Sequence, residues 1–550
     1  MVRFAVVVGL AFFSGLTGRG EQAFLFTDVS PGTGIDFRHS DGHGGQRFLM
    51  EAVSCGLATF DFDGDGLVDI YFINGAPLRG TQVDQPPRNA LYRNLGNFRF
   101  VDVTDAAGVG DIGFGLGVTV ADYDNDGFPD IYVNNYGENV FYRNQGDGTF
   151  AEVTGPTGTA NGEKVGAGVA FLDINGNGLL DLYCANYIQF SYADYRPTNM
   201  LGHVVYPGPL VYPAEPDNLF RNNGDGTFTD VSEEAGVSVN PQWGMGVICG
   251  DFDGDGHTDI FVCNDSTRNF LFVNDGQGKF REMGLLSGLA FDGTGSPQGS
   301  MGVDVADYNG NGRLDLFMTT YQRERTTLYE NLGGLLFQDV TARTGAGVHS
   351  FRRVNWGVGF GDFDNDGHVD LFVANGHIHD NVDKFDSSTS YGMPNQLLRN
   401  DGSGRFRDVT DGSGAIGVDA FSSRGAVLED FDNDGRLDVV VLNSRRAPQV
   451  FRNEQVTGHH WIQLRLVGID SNRDAVGARV RLTAGGRTQT KEIHSGRGYQ
   501  SHFGSRLHFG LGDQSRIDEV EIRWVGGRIQ RLGGMAADQI LTVVETVEGE

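Results

Sequence analysis

The stretch Asp61-Phe62-Asp63-Gly64-Asp65-Gly66-Leu67-Val68-Asp69 decides the fold, because its nine-residue pattern returns six times. The other copies are Asp122–Asp130, Asp173–Asp181, Asp251–Asp259, Asp307–Asp315, Asp362–Asp370 and Asp430–Asp438. In every copy positions one and nine are Asp, position six is Gly, and positions three and five are Asp or Asn. Oxygen ligands at alternate positions of a tight loop converge on one point, and Gly at position six permits the sharp turn. The carboxylate at position nine closes the loop sooner than in a helix-loop-helix site, so the loop suits a strand-to-strand hairpin. An all-protein oxygen cage of relaxed geometry fits calcium better than magnesium, which usually keeps its waters.

Asp, Asn and Gly also make plain turns. A turn, however, has no evident use for an Asp at position nine in seven copies. The predicted metal ligands are Asp61, Asp63, Asp65 and Asp69 in loop one; Asp122, Asp124, Asp126 and Asp130 in loop two; Asp173, Asn175, Asn177 and Asp181 in loop three; and Asp251, Asp253, Asp255 and Asp259 in loop four. Loop five supplies Asp307, Asn309, Asn311 and Asp315; loop six Asp362, Asp364, Asp366 and Asp370; and loop seven Asp430, Asp432, Asp434 and Asp438. Loops three and five carry two acids where the others carry four, so up to seven calcium ions are expected, with these two the weakest.

A Gly stands five residues before each loop, at Gly56, Gly117, Gly168, Gly246, Gly302, Gly357 and Gly425, and an apolar stretch joins it to the loop. After each loop comes a β-rich run such as Ile131-Tyr132-Val133. A second hairpin follows, as in Phe141-Tyr142-Arg143-Asn144-Gln145-Gly146-Asp147-Gly148-Thr149-Phe150. Each unit is thus four antiparallel strands, and loop starts are 51 to 78 residues apart, the size of a propeller blade with insertions. The seventh unit ends at Val450-Phe451-Arg452-Asn453 without a fourth strand, and Phe26-Thr27-Asp28-Val29-Ser30 matches the missing piece. The predicted fold is therefore all-β: a seven-bladed propeller over residues 24–455, closed by its N-terminal strand. The recurring Gly lies on the innermost strand, where seven strands crowd the axis.

The loops and their Gly-x-Gly-x-Phe hairpins resemble the FG-GAP (VCBS) repeats of the integrin α-subunit propeller, a resemblance that implies calcium in the loops. The tail resembles the ASPIC and UnbV domain at Asn472-Arg473-Asp474-Ala475-Val476-Gly477-Ala478-Arg479, Gly496-Arg497-Gly498-Tyr499 and His508-Phe509-Gly510-Leu511-Gly512. Together they are similar to the cartilage acidic protein family and its bacterial relatives, including enediyne biosynthesis accessory factors. Alternating strands at Trp461–Val467, Ala478–Leu482, Val520–Trp524 and Ile540–Val544 predict a small β-sandwich over 459–550. The short join at Glu454–Gly458 predicts that it rests on the ring near blade seven.

The chain has 550 residues and a formal charge of −30, to which the loops contribute 24 acids. Such acidity argues against nucleic acid as a partner. Met1-Val2-Arg3 and the apolar run Phe4–Leu16 read as a secretory signal within residues 1–20, too short to span a bilayer. The expected setting is extracellular, or periplasmic in a bacterium, with no transmembrane segment and a monomeric chain. Four cysteines are too few for a disulfide scaffold; Cys249 and Cys263 flank loop four and either face each other across its hairpin or stay buried thiols.

Long insertions at 74–90, 186–218 and 375–396 share the rim opposite the loops. There Arg352, Arg353, Trp356, His377, His379 and Arg424 are candidate ligand-binding residues, and aromatics with Arg suit a protein or glycan partner. His377-Ile378-His379 places two imidazoles on one strand face, a transition-metal arrangement if a third ligand exists. No G-x-S-x-G, phosphate loop or H-E-x-x-H motif occurs. The leading reading is a binding or adhesion module without catalysis; the alternative is an enzyme or biosynthesis accessory protein with a site in the propeller mouth or where the tail meets the ring.

Overall fold

The computed structural model describes residues 24–546; the expected signal segment lies outside them. Each of the seven repeats is built on four antiparallel strands; those of the second and third repeats join into one eight-stranded sheet where Lys164 and Val165 pair with Gly137 and Tyr136, and the fourth repeat carries a short fifth strand, Gln298–Gly299. In the first blade the strands are Leu57–Phe60, Asp69–Phe72, Ala90–Asn94 and Phe100–Asp102, so the Asp loop spans the turn from the first strand to the second. Alternating Val, Ile, Phe and Tyr on these strands bury one face against each neighbouring blade, and almost every residue of the first two strands is inaccessible. Each first strand packs on the next, and Ser423–Glu429 of the seventh blade returns to Leu57–Phe60 of the first. The ring closes as expected: Phe26–Asp28 pairs with Gln449–Asn453, Phe26 opposite Asn453.

The glycine ring has a steric cause. A Cβ on Gly117 would lie 2.0 Å from the carbonyl oxygen of Ala167, which precedes Gly168 of the next blade; on Gly246 it would lie 2.2 Å from Met301 O, and on Gly302 2.3 Å from Trp356 O. Backbone meets backbone around the axis, and only Gly fits.

After the last blade, two sheets form the sandwich. One holds Leu507–Gly512, His460–Val467 and Gln539–Val544; the other Arg487–Glu492, Arg479–Ala484, Arg516–Arg523 and Ile529–Ala536. The sandwich does more than rest beside blade seven. It covers the loop-bearing rim, touching blade two through Asp474, blade four through Arg479 and Arg523, blade six through Arg487 and blade seven through Gln463. Its segment around Gly498–His502 enters the axis, where Gly498 exchanges backbone hydrogen bonds with Val303 and His502 with Leu57 and Thr59. Tyr499 crosses to the opposite end, its hydroxyl donating to Val53 O at 2.6 Å, on the short helix Leu49–Val53. The axis is therefore filled from both sides.

The four cysteines are buried free thiols. Cys249 pairs in register with Ile260, and Cys263 lies on the opposite face of the same sheet, so the two do not meet across the hairpin. Among the described residues no helix is long and apolar enough to cross a membrane.

Candidate functional site

The seven loops share one backbone design. The position-one carboxylate accepts the N–H of the Gly at position six, as in Gly66 to Asp61 (3.0 Å), Gly256 to Asp251 (3.1 Å) and Gly367 to Asp362 (2.7 Å). Position nine is a structural residue. Asp69 Oδ2 accepts Phe62 N–H at 3.1 Å and Oδ1 accepts Asn94 N–H at 2.7 Å, and the same two bonds recur in the other loops, for example at Asp130 and Asp259. An Asp at position nine thus has a use in a turn after all: it ties the loop to the third strand.

What the backbone does not satisfy lies at positions one and three. In the five four-acid loops a carboxylate oxygen from each of three Asp residues lies within 4.8 Å of the other two: Asp61, Asp63, Asp69; Asp122, Asp124, Asp130; Asp251, Asp253, Asp255; Asp362, Asp364, Asp370; and Asp430, Asp432, Asp438. Among the described residues these are the groups of three or more His, Cys, Asp or Glu so arranged. Asp61, Asp124, Asp364 and Asp432 each keep one buried Oδ1 with no hydrogen-bond partner, and so does Asn175 in loop three. Burial, with other loop carboxylates alongside, pushes Asp69, Asp122 and Asp259 up to about 8. A converging set of hard, under-satisfied oxygens fits a hard cation.

Two partners of the loops escaped the sequence reading. The first is the Asn that ends the third strand. Asn144 Nδ2 donates to Pro129 O in its own blade at 3.2 Å and to Phe62 O in the preceding blade at 2.9 Å; Asn222, Asn274, Asn331, Asn400 and Asn453 repeat this, and Asn94 reaches Phe431 O of the seventh blade. These seven amides stitch the loop rim into a closed belt. The second is the Arg one residue earlier. Arg93 lies 2.7 Å from Asp63, Arg143 2.6 Å from Asp124, Arg399 2.6 Å from Asp364 and Arg452 3.0 Å from Asp432, whereas loop four has Val273 at that place. The signal was present in the repeated Arg-Asn dipeptide.

On the opposite rim the candidate ligand residues part company. Arg352 is exposed, and Arg353 is half-buried with Nη1 unpartnered. Trp356 and Arg424 belong to the axial plug: the guanidinium lies 4.2 Å over the indole, donates to Ala52 O at 3.0 Å, and both side chains are buried beside Tyr499. His377 and His379 are buried and serve protein partners. His377 Nδ1 accepts the N–H of His379 at 3.0 Å and its Nε2 faces Gln322 Oε1 at 3.1 Å; burial lowers the two imidazoles to about 3 and about 4. No third metal ligand joins them among the described residues. The tyrosines of the blade-three insertion pack that loop down, with Tyr192, Tyr195 and Phe190 at 4.8 to 5.8 Å from Phe48.

The matches to family models follow the division into repeats and tail. The FG-GAP-like repeat matches at residues 61–133, 122–184, 210–262, 251–318, 307–373 and 385–441, together more than half of the chain, and the family described as ASPIC and UnbV matches at 468–550. Cartilage acidic protein 1 of Mus musculus is 27% identical over 453 residues, covering 79% of this chain and 64% of that protein. The Homo sapiens protein of the same name is 28% identical over 438 residues, covering 76% and 61%. The chain thus spans less than two thirds of the length of these relatives. Among solved structures, an Agrocybe aegerita lectin recognising non-reducing terminal N-acetylglucosamine is 19% identical with a TM-score of 0.37, covering 72% of this chain and 87% of that one. The exotype rhamnogalacturonan lyase YesX is 14% identical with a TM-score of 0.31, covering 89% and 90%. The chain belongs to the FG-GAP-like repeat family, with an ASPIC and UnbV domain following its repeats.

Proposed function

We propose that this chain is an exported, calcium-stabilised propeller that binds a protein or glycan on its insertion-bearing rim and performs no catalysis of its own. The observation that carries the calcium reading is the convergence of three carboxylate oxygens within 4.8 Å in each of five loops. Calcium would be held there by side-chain oxygens at positions one, three and five, with Asp69 and its equivalents shared between the ion and the backbone. Bound calcium neutralises the crowded acids and joins the first strand of each blade to the second.

The choice of rim rests on the sandwich. It occupies the loop face, so a macromolecular partner meets the face with the long insertions, where Arg352 and Phe351 are exposed. Cartilage acidic protein 1, as the name of a relative, suits an exported setting for this acidic chain.

Metal analysis of the purified protein, with thermal unfolding in excess calcium and in chelator, tests this reading. About five to seven calcium ions per chain and a clear fall in melting temperature on chelation are expected. A metal-free protein with an unchanged transition would reduce the loops to turns and overturn the proposal.

A further inference from the structure

Two neighbouring segments on the insertion-bearing rim are fastened side by side. Arg323 N–H donates to Phe351 O at 2.8 Å and Thr326 N–H to Ser350 Oγ at 3.2 Å, so the turn between the second and third strands of blade five lies against the short helix Ser350–Arg352 that leads into blade six. Together the two segments present three arginines and a phenylalanine. The Arg323 side chain is 71% exposed, Arg325 and Arg352 are exposed, and Phe351 is 51% exposed.

Little of this positive charge is committed. Arg325 and Arg352 have no side-chain partner among the described residues, and Arg323 reaches only Asp386, at 3.1 Å. The acid within the two segments, Glu324, is turned to the backbone: it accepts Gly299 N–H at 2.7 Å, and burial pushes its carboxyl up to about 7. Arg323 holds a φ of 70°, so a long cationic side chain is kept where the backbone favours Gly or Asn. On a chain of formal charge −30, such a locally basic surface draws an anionic partner that the rest of the molecule repels.

The chemistry narrows the partner. The cations of both segments are all Arg, whose planar, weakly hydrated fork suits an oxyanion. A sulfate ester, singly charged and weakly hydrated, matches that fork better than a strongly hydrated carboxylate does. An exposed ring beside the cations gives the apolar face of a pyranose a surface to stack on. We propose that this surface binds a sulfated glycan, with sulfates on Arg323, Arg325 and Arg352 and a sugar ring on Phe351. The inference rests on the reading of the insertion rim as the binding face and names the partner that face takes.

The test is calorimetric titration of the full chain, at fixed calcium and low salt, with a heparin-derived hexasaccharide, its chemically desulfated form and an oligoglutamate peptide of equal charge. The sulfated hexasaccharide is expected to bind at least about tenfold more tightly than either comparison, and to weaken as salt is raised. Arg325→Ala with Arg352→Ala is expected to weaken it about tenfold, the scale of two exposed charge-assisted contacts. Arg99→Ala with Arg281→Ala removes the same charge from exposed arginines of other blades and is expected to leave binding nearly unchanged. No heat from the hexasaccharide, equal loss in the two double variants, or binding indifferent to Arg325 and Arg352 overturns the proposal. Peptide binding as tight as the hexasaccharide's, and lost with Arg325 and Arg352, overturns the glycan while leaving the choice of rim standing. Should the Ala pair fail to fold, Arg325→Gln with Arg352→Gln is read in its place, with the same outcomes.

Discussion

Arg497 Nε and Nη2 donate to the two carboxylate oxygens of Asp304 at 2.8 and 2.7 Å, pinning the sandwich to the innermost strand of blade five. Asp304 is fully buried and also accepts Phe360 N–H at 2.7 Å from blade six. Removing one partner of such a pair leaves a buried charge uncompensated. Arg497→Met is expected to lose about 3–5 kcal/mol in denaturant unfolding. Stability equal to the parent's would mean that the sandwich does not help to hold the ring.

The glycine ring makes a sharper steric prediction. Gly246→Ala drives a methyl to 2.2 Å from Met301 O, and main chain on both sides prevents retreat. Gly208 has no neighbour within 4 Å of an added Cβ and a φ of −78°, so Gly208→Ala is the control. The first is expected to cost at least about 3 kcal/mol or to abolish expression, and the second to stay within about 1 kcal/mol of the parent. Equal melting temperatures would show that the axis has room to relax.

These glycines also mark how far the sequence could be read. Their spacing, with the Asp loops, was enough for blades and closure, because period and turn chemistry are local. Asp69 was legible as a recurring residue but not in its role, since its partner Asn94 N–H lies on a strand 25 residues away. Tyr499 was legible only as part of a resemblance. That its hydroxyl crosses the axis to Val53 depends on the placement of the sandwich, which no local pattern encodes. Trp356 and Arg424 had the composition of a binding surface, yet stacking on each other they became core.

The asparagine belt and the proposed metal ligands are separable by calcium. Asn331 Nδ2 donates to Leu314 O at 3.2 Å and to Phe252 O at 2.9 Å, and Asn331→Leu leaves both carbonyls unpaired. A loss of about 2–4 kcal/mol is expected with calcium or with chelator alike. Asp253→Asn, which changes a proposed loop ligand, is expected to lower the melting temperature in calcium and to leave it nearly unchanged in chelator. Identical calcium dependence for the two variants would remove the distinction.

Glu51 gives the pH dependence. Burial pushes its carboxyl up to about 7, against hydrogen bonds from Phe48 N–H at 3.2 Å and Tyr206 Oη at 3.0 Å. The folded state then holds a proton that the unfolded state releases near its ordinary 4.5, so this group's contribution to stability falls as pH rises from 4.5 to about 7. Glu51→Gln removes the loss. The variant is expected to exceed the parent by up to about 3 kcal/mol at pH 8 and to match it near pH 4. A constant difference across that range would place the cause in packing.

Loop four should hold its ion most tightly. In loops one, two, six and seven an arginine already sits 2.6 to 3.0 Å from the position-three carboxylate, neutralising part of the charge that a cation would meet. Val273 leaves the Asp253 and Asp255 carboxylates without that competitor: Arg479 approaches Asp251 only at 3.6 Å, and Arg523 donates to the backbone oxygen of Asp255 at 3.3 Å and not to a carboxylate. Loops three and five start with two acids and rank last. Calcium titration of chelator-stripped protein is therefore expected to resolve a tightest site that Asp253→Asn abolishes and Val273→Arg weakens about tenfold, the scale of one competing charge near the surface. Arg143→Val should tighten loop two by a similar factor. A tightest site that survives Asp253→Asn would show that the arginines do not set the order, and that formal charge alone or loop strain does.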